Sequence, residues 1–438
     1  MQTENQNNIV TIRELGRQGD GIAETADGPV YVPFTLAGED VVLTPAREHR
    51  EKKQFRGRNR RAGRIKASKP ARRRYPAQIL TPSPNRIDAD CKHFTSCGGC
   101  QLQHFEQHAY LGWKQELVSS ALRRENIDCD VEAVLAFGPH ARRRAIFTAF
   151  SNAAGISLGF LKRDSHHITN IEECPVMVEE IASRLEDFRE LSAILCSPNS
   201  KIKVSALACD NGLDVAVESE KRVEQRAILQ AIDFAGTQSF ARLSLDEDIL
   251  IESRRPLLDY GVASVTPPPN GFVQAVAAAE TAMAVLVCDH LGGCRSVADL
   301  FCGHGTFALR LAKNSTVYAA EASEPAISAL DQAWRETGGA LKHITTERRD
   351  LYRRPMNAAE LKKIDGVVFD PPRAGAQEQA AELASSGVTK IAAVSCNPVT
   401  LARDLAMLIK GGYRLKSVTP IDQFIYTPHV EAVALLER

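Results

Sequence analysis

The C-terminal part of the chain alternates between two hydrophobic patterns. Short continuous apolar runs, which predict buried strands, are separated by longer stretches in which apolar residues recur at helical spacing. The pattern predicts strands at 296–301, 316–320, 366–369, 390–395, 413–420 and 430–436, and helices at 272–291 and 304–312. Strands that alternate with helices form a mostly parallel sheet covered on both faces. We therefore expect an α/β, Rossmann-like domain in this part.

The N-terminal part has a different pattern. Short apolar runs at 8–12, 29–33 and 40–44 are separated by glycine-rich turns. Several short strands with such turns predict a small, OB-like β-barrel. Barrels of this kind often bind RNA.

The stretch between these two parts is mixed. A helix is predicted at about 106–125 and strands at 156–161, 202–208 and 213–217, which indicates a central α/β domain. This stretch contains no catalytic signature, and we interpret its Arg142-Arg143-Arg144 run as a basic surface.

Length and cysteine content bound the kind of protein. A chain of 438 residues predicts about two to three domains, which we place at 1–80, 81–268 and 269–438. No long apolar stretch could span a bilayer, and the first residues do not form a signal peptide. Eleven cysteines, an odd number without an export signal, favour a reduced compartment over a disulfide scaffold. We expect a soluble, monomeric cytoplasmic protein without a membrane partner.

Charge is unevenly distributed although the formal net charge is zero. Between Pro45 and Leu80, fourteen Lys or Arg residues accompany only Glu48 and Glu51. A basic block on a neutral protein predicts a polyanionic partner, and its position beside a small β module favours nucleic acid. A solvated linker is the alternative.

A glycine-rich turn follows the first predicted strand of the α/β domain. Gly303 and Gly305 would allow a tight turn and close approach of a ligand to the backbone. Asp299 before the turn suits a positively charged amino group, and Glu321 at the next strand end could accept ribose hydroxyls. Asp350 follows one element later and could reach an adenine. This order favours S-adenosylmethionine, while a nicotinamide cofactor, weakened by the missing third glycine, is the alternative.

A candidate nucleophile, Cys396, follows the apolar run 391–394. It precedes Asn397-Pro398, which would open a helix. Ligands bind at the carboxyl ends of strands in open α/β sheets, and a helix N-terminus favours a thiolate. A buried structural cysteine is the alternative for an isolated thiol.

Three motifs near the C-terminus together resemble one family. They are Asp370-Pro371-Pro372-Arg373, Ser395-Cys396-Asn397-Pro398 and His429-Val430-Glu431. They resemble the RNA 5-methyluridine methyltransferases, the uracil-C5 enzymes of tRNA and 23S rRNA. The resemblance extends over nearly the whole chain and implies a class I methyltransferase domain, S-adenosylmethionine as cofactor and RNA as substrate.

The resemblance also implies roles for individual residues. Cys396 would add to uracil C6, and Glu431 would remove the proton from C5. Asp370 would accept a hydrogen bond from the uracil or the cofactor, and Phe272 would stack on a flipped uracil. The implied cofactor contacts are Gln274, Asp299, Phe301, Gly303, Gly305, Glu321, Asp350 and Asp370.

A cysteine set and the N-terminal module point to one branch of this family. Cys91, Cys97 and Cys100, with Cys174 before Pro175, look like the 4Fe–4S site of the rRNA branch, although zinc could also bind four thiolates. The N-terminal module looks like a TRAM domain. The resemblance therefore implies rRNA processing, with 23S rRNA as the substrate and a tRNA T-loop uridine as the alternative.

The chain also departs from the family pattern. Val276 stands where the family's Phe-x-Gln-x-Asn has asparagine, and the asparagine-rich stretch usual after the acidic strand end is missing. These departures indicate a divergent member. They leave open an RNA-binding protein with a decayed methyltransferase fold. A radical enzyme is disfavoured because it needs Cys-x3-Cys-x2-Cys.

Overall fold

The computed structural model describes residues 8–45, 72–153 and 155–438. Contacts divide the chain into two compact units. The first comprises the described residues up to Asp90, together with Cys100–Tyr110 and Tyr426–Pro428. The second comprises Cys91–Gly99, Leu111–Ile425 and His429–Arg438, so no division between these units falls near residue 268. The three-domain division stays a prediction.

The first unit is built from short strands. They are β1 (Ile9–Thr11), β2 (Glu14–Leu15), β3 (Gly21–Thr25), β4 (Gly28–Val32), β5 (Asp40–Leu43), β6 (Arg72–Arg73) and β7 (Pro76–Thr81). Two sheets, ordered β1-β5-β7 and β2-β3-β4-β6, accompany an apolar core that includes Ile12, Val30 and Val41. Closure into a barrel stays a prediction.

Most of the predicted basic block, residues 46–71, lies outside the described residues. Arg73 at its C-terminal end is described, and its guanidinium binds the buried carboxylate of Asp20 at 2.6 Å. Arg74 donates to the carbonyl of Thr44. These two arginines therefore stabilise the first unit.

The second unit begins with α1 and a short strand and continues into a seven-stranded sheet. The elements are α1 (Gln107–Arg124, whose first turn belongs to the first unit), β8 (Leu135–Ala136), β9 (Arg144–Asn152), β10 (Gly155–Leu161), β11 (Ile168–Asn170), α2 (Glu179–Ala182), α3 (Leu185–Leu195), β12 (Lys201–Cys209), β13 (Gly212–Ser219), α4 (Gln225–Thr237), β14 (Arg242–Leu245), β15 (Asp248–Glu252), β16 (Leu258–Asp259) and β17 (Ser264–Val265). The sheet order is β11-β10-β9-β12-β13-β14-β15. Its core contains Phe147, Phe188 and Phe240.

The remaining elements form the predicted α/β domain. They are α5 (Ala277–His290), β18 (Ser296–Leu300), α6 (Ala308–Leu311), β19 (Thr316–Glu321), α7 (Glu324–Glu336), β20 (Ile344–Arg348), a 3₁₀ helix (Glu360–Lys363), β21 (Gly366–Phe369), α8 (Gln377–Ala384), β22 (Lys390–Ser395), α9 (Pro398–Lys410), β23 (Arg414–Asp422) and β24 (Glu431–Glu437). The α/β, Rossmann-like prediction for this part is confirmed.

The strand order of this sheet positions the site. The order is β20-β19-β18-β21-β22-β24-β23-β8, with β24 antiparallel to both neighbours. The chain runs from β18 outward to β19 and β20, then returns to the other side of β18 at β21. Such a reversal opens a crevice at the carboxyl ends of the central strands, where ligands bind.

Helices cover both faces of the sheet because successive strand residues point to opposite faces. Val297 joins the cluster that contains residues of α5 and α7, whereas Ala298 joins the cluster that contains residues of α1, α8 and α9. Within the described ranges, no helix is both long and apolar enough to cross a membrane.

Two helix predictions and one surface prediction are corrected. The helix predicted from residue 272 begins at Ala277, because residues 272–276 are not helical and are bonded to distant residues. The helix predicted at 304–312 shortens to α6, because Gly305 has a left-handed φ of 100°. Arg143 is not part of a basic surface: it is buried and bonded to the carboxylate of Glu280 at 2.8 Å.

Candidate active site

Cys396 and Glu431 are brought together by the pairing of β22 with β24. Ser395 lies opposite Ala432 in this antiparallel pair. Cys396 directly follows this last pair on one strand and Glu431 directly precedes it on the other. The two side chains lie close enough for the charge of Glu431 to raise the pKa of the Cys396 thiol. The sheet therefore presents a thiol and a carboxyl side by side at one edge.

The turn that carries Cys396 is fixed by its neighbours. The side chain of Asn397 caps α9 by accepting the backbone N–H of Val399 at 3.1 Å. Its amide nitrogen also donates to the carbonyl of Arg373 at 3.0 Å. The Asn-Pro signature thus acts as a helix start, and it ties the Cys396 turn to the turn that follows Asp370.

The thiol of Cys396 has a raised pKa. Burial raises the pKa to about 11, and the nearby carboxyls of Glu431 and Asp370 contribute in the same direction. Arg373 has the opposite, smaller effect. The expected lowering of the pKa by the N-terminus of α9 is therefore outweighed, since desolvation and like charges both disfavour a thiolate.

Glu431 and Asp370 form a pair of interacting carboxyls. Glu431 is 4% exposed, and burial together with the charge of Asp370 raises its pKa. Burial also raises the pKa of Asp370, which follows β21. Two such groups resist being charged together, so the pair retains a proton at a pH where isolated carboxyls are ionised.

A chain of side-chain amides connects these carboxyls. Gln274 donates from Nε2 to Asp370 Oδ2 at 3.2 Å. Gln423 donates from Nε2 to Gln274 Oε1 at 2.8 Å and to Glu431 Oε1 at 3.1 Å. Glu431 Oε2 is buried without a hydrogen-bond partner among the described residues.

Phe272 and Gln274 lie in opposite environments on one non-helical segment. Phe272 is 67% exposed, whereas Gln274 is buried. Nε2 of His304 lies 2.9 Å from the carbonyl oxygen of Phe272. Arg143 donates a hydrogen bond to the carbonyl of Gln274 at 3.1 Å. Because a carbonyl only accepts, Nε2 of His304 carries the proton. The segment therefore presents an aromatic ring outward from a fixed backbone.

Val276 lies at the end of this segment and packs into the apolar core. It belongs to the cluster that contains Met283 and Val287. An apolar side chain suits that position because a buried amide would need hydrogen-bond partners.

The glycine-rich turn at the end of β18 adopts left-handed backbone angles. Phe301, Gly303 and Gly305 have φ values of 62°, 54° and 100°. A Cβ on Gly305 would lie 2.4 Å from Cδ1 of Leu330, whereas a Cβ on Gly303 would meet nothing within 4 Å. The turn thus packs closely at Gly305 and leaves open space at Gly303.

Glu321, at the end of β19, lies beside this turn. Its Oε2 accepts the N–H of Gly303 at 3.2 Å, and its Oε1 accepts the N–H of Ser323 at 2.9 Å. The open space at Gly303 and the carboxylate beside it fit a ligand with a hydroxyl-bearing ribose.

Asp299 and Asp350 occupy different environments. Asp299 is fully buried, neither of its oxygens has a partner among the described residues, and burial raises its pKa well above the usual range.

Asp350 accepts hydrogen bonds from the backbone N–H groups of Tyr352 and Arg353 at 3.1 and 3.3 Å. The ring of Tyr352 packs 5.4 Å from that of Phe301. The five predicted cofactor residues from 299 to 321, with Asp350 and Asp370, lie in or shortly after the four adjacent strands β20, β19, β18 and β21.

Three of the four predicted cluster cysteines lie in the second unit. Burial raises the pKa of Cys97, and Cys174 and Cys91 lie near enough to raise it further. Cys97 Sγ accepts the N–H of Gly99 at 3.4 Å. Cys100 is assigned to the first unit. Among the residues that the structure describes, no three His, Cys, Asp or Glu side chains are arranged to bind a metal, so the 4Fe–4S prediction is not confirmed.

Sequence reasoning missed four polar residues around the site. Arg143 and Glu280 belong to no motif, and His304 was considered only as the start of a predicted helix. Gln423 follows the end of β23, next to the strand of Glu431. Gln423 is a polar residue shortly after a predicted strand, and this pattern could have indicated a site residue.

Comparison with known proteins gives consistent results. The model of the tRNA (uracil-5-)-methyltransferase family matches residues 219–438. An uncharacterized RNA methyltransferase of Brucella suis biovar 1 is 48% identical over 431 residues, covering 98% of this chain and 97% of that protein. A 23S rRNA (uracil(1939)-C(5))-methyltransferase of Vibrio vulnificus is 28% identical over 453 residues, covering 100% and 98%.

A solved structure shares the fold. It is the tRNA (uracil-54, C5)-methyltransferase of Pyrococcus abyssi in complex with S-adenosyl-L-homocysteine, with a TM-score of 0.70 and 23% identity. The match covers 97% of this chain and 99% of that one. The resemblance predicted from the three C-terminal motifs is confirmed: the chain belongs to the tRNA (uracil-5-)-methyltransferase family.

Proposed function

We propose that this protein methylates C5 of uracil in RNA, with S-adenosylmethionine as methyl donor and 23S rRNA as substrate. The observation that carries the proposal is the proximity of Cys396 and Glu431: the pairing of β22 with β24 ends at the residues adjacent to them, and the charge of Glu431 raises the pKa of the Cys396 thiol. A nucleophile next to a base is what this chemistry requires, because uracil C5 is too weak a nucleophile by itself.

The reaction begins at Cys396. Its thiolate adds to uracil C6, and the electron pair of the C5–C6 double bond shifts toward C5 and the C4 carbonyl, which makes C5 nucleophilic. The thiol must first lose its proton to solvent, because a carboxyl that kept this proton could not also take the proton from C5; the raised pKa of the thiol makes this loss costly. Arg373 offsets part of the charge of the nearby carboxyls.

S-adenosylmethionine, when bound, supplies the methyl group on its sulfonium, which C5 attacks. Among the residues of this chain, Glu321 would accept the ribose hydroxyls and the backbone of Gly303 would border the cofactor. Asp299 lies beneath the turn as a buried, unpartnered carboxyl. Asp350 and Phe301 would complete the adenosine side.

Glu431 completes the reaction by removing the proton from C5. The electron pair of the C5–H bond then re-forms the C5–C6 double bond, and the sulfur of Cys396 leaves from C6. A carboxyl with a raised pKa is a stronger base than an ordinary glutamate once ionised. Its unpartnered Oε2 is the atom available for this proton.

RNA recognition is assigned to two parts of the chain. Phe272, the exposed ring beside Gln274, would stack on the uracil after it leaves its helix. The first unit would act as a TRAM-like module that contacts RNA away from the reacting base. The basic block 45–80 would add to this contact through phosphate charges.

A 4Fe–4S cluster on Cys91, Cys97, Cys100 and Cys174 remains part of the proposal. Its support is the spacing of the thiols and the mutual proximity of three of them. Anaerobically purified protein with visible absorbance and about four irons per chain would support the cluster. Colourless protein with stoichiometric zinc would instead indicate a zinc site on these thiolates.

Methyl transfer to unmodified 23S rRNA and to unmodified tRNA tests the function. Labelled S-adenosylmethionine reports transfer, and mass spectrometry of nucleosides identifies the product. We expect 5-methyluridine in 23S rRNA with the native chain and none with Cys396→Ala. Cys396-dependent product in tRNA alone would favour the alternative substrate, for which the matching family is named. No product in either RNA would refute the proposal for these substrates.

A further inference from the structure

We propose that Gln423 is a positioning residue that selects Oε2 of Glu431 as the oxygen that removes the substrate proton. The inference rests on the proposed role of Glu431 as the base. Gln423 is 2% exposed and lies just after β23, so its side chain reaches the site from beneath rather than from solvent.

The orientation of the Gln423 amide is set by its surroundings. The backbone N–H of Ala275 donates to its Oε1 at 3.0 Å. Because a backbone N–H can only donate, the oxygen of the amide must face Ala275. The nitrogen therefore faces Gln274 Oε1 and Glu431 Oε1, at 2.8 and 3.1 Å. Both protons on Nε2 are then used.

This arrangement leaves the two oxygens of Glu431 unequal. Oε1 accepts from Gln423, so a proton on the carboxyl belongs on Oε2. Oε2 is buried and has no partner among the described residues. A buried acceptor without a partner is destabilising, so a native site that keeps one there fits a group reserved for a substrate atom.

The backbone at Gln423 is anchored by a buried ion pair. Lys114 of α1 and Asp422 form a salt bridge in which both side chains are almost completely buried. Lys114 also donates to the carbonyl of Phe424 at 3.2 Å and to that of His429 at 2.6 Å. The residues on either side of Gln423, and the residue two before Glu431, are thus held by one ammonium group.

The second link of Gln423 extends to the other carboxyl. Gln274 accepts from Gln423 and donates to Asp370, so the two amides form one directed chain between Glu431 and Asp370. Asp370 Oδ2 must be an acceptor in this chain. The proton shared by the pair is therefore confined to Oδ1 of Asp370 or Oε2 of Glu431, both outside the amide chain.

A purely structural role is the competing explanation, because a buried glutamine needs partners wherever it lies. Gln379 provides a matched control. It is also buried, and among the described residues its amide exchanges hydrogen bonds with the backbone of Met356, at 2.8 and 3.0 Å. Replacing each glutamine with methionine removes a similar amide and preserves side-chain volume.

The experiment compares Gln423→Met, Glu431→Gln, their double variant and Gln379→Met in the full-length protein. For Gln423→Met we expect kcat to fall about 10- to 100-fold, the range for a misaligned general base. The KM values for RNA and S-adenosylmethionine should stay near those of the native chain, and the covalent protein–RNA adduct should accumulate. Combined with Glu431→Gln, the second substitution should have no further effect on kcat. Gln379→Met should retain native kcat.

Two outcomes would overturn the positioning role. One is native kcat in Gln423→Met. The other is a loss of kcat in the double variant equal to the product of the two single losses, because a residue that acts through Glu431 has nothing to position once that base is gone.

A readout without turnover separates failure of this inference from failure of the proposed function. Alkylation of Cys396, followed by mass spectrometry across pH, reports the charge of Glu431. The hydrogen bond from Gln423 lowers the pKa of Glu431, against the raising effect of burial and Asp370. Without that bond Glu431 stays neutral to higher pH, so Cys396 should be alkylated faster in Gln423→Met. Identical curves would refute the inference even in a protein that methylates no RNA.

Discussion

Replacing Glu431 with glutamine should make the thiol of Cys396 easier to ionise while blocking the last step of the reaction. A thiol with a pKa of about 11 has roughly one hundredth of the thiolate that a thiol at the ordinary value of 9.0 has near neutral pH. Burial is the largest cause of this difference and the charge of Glu431 the second. The substitution removes only the second cause, so about a hundredfold gain in thiolate is the ceiling, and we expect roughly tenfold.

The assay is the pH dependence of Cys396 alkylation, resolved by mass spectrometry of the labelled peptide. Glu437→Gln is the matched control, because Glu437 lies on the same strand and its carboxylate pairs with Lys416 at 3.0 Å instead. The alkylation midpoint should move to lower pH in Glu431→Gln and stay unchanged in Glu437→Gln. An unchanged or higher midpoint in Glu431→Gln would refute the electrostatic coupling of the two residues.

The same variant separates addition from elimination. In the proposed mechanism the thiolate can still add to C6 and C5 can still take the methyl group, but the amide cannot remove the C5 proton. We expect a covalent RNA adduct that survives denaturing electrophoresis and carries the labelled methyl group. Multiple turnover at the native rate would exclude Glu431 as the base.

Further substitutions test the scaffold around the site. Lys114→Met should lower the free energy of unfolding by about 3–5 kcal/mol in urea titrations, since Asp422 would be left charged and buried, and Asp422→Asn should recover part of this loss in the double variant. Gly305→Ala should weaken both stability and S-adenosylmethionine binding, because its Cβ would overlap a neighbouring leucine. Gly303→Ala should weaken S-adenosylmethionine binding in calorimetry. Its loss of stability should be smaller, about 1–2 kcal/mol, because its Cβ would meet nothing within 4 Å and only the left-handed backbone angle is unfavourable. Val276→Asn should destabilise the fold by about 1–3 kcal/mol without increasing kcat, because the residue lies in the core; a gain in kcat would contradict this placement.

The elements that could be predicted from the sequence are those whose limits coincide with a single hydrophobic pattern. The strands at Gly366–Phe369 and Lys390–Ser395 match their predicted bounds because both faces are buried, so the apolar run and the strand have the same limits. The helix predicted from residue 272 started too early for the opposite reason. Its apolar residues are compatible with a helix and with a non-helical segment. Hydrogen bonds to residues distant in the sequence favour the non-helical conformation.

The raised pKa of Cys396 shows the same limit in the chemistry of the site. The N-terminus of α9 is visible in the sequence as Asn397-Pro398, and taken alone it predicts a lowered pKa. The groups with the opposite effect, Glu431 and Asp370, come from other strands, and burial has no local signature. The pKa of a group depends on all its neighbours in space. The effect of the α9 N-terminus could therefore be predicted from the sequence, but the direction of the total shift could not.

The non-helical segment 272–276 explains why the site needs residues that no motif contains. Its backbone is held by Arg143 and Gln423, which lie 131 and 148 residues away from their partners in sequence, and by His304 in the cofactor turn. These bonds fix a segment that offers an exposed ring on one side and a buried amide on the other. The proposed stacking ring of Phe272, the glycine-rich turn and the proposed base Glu431 are therefore linked through this segment. We expect a substitution at Gln423 to affect Glu431 more than it affects the stability of the fold.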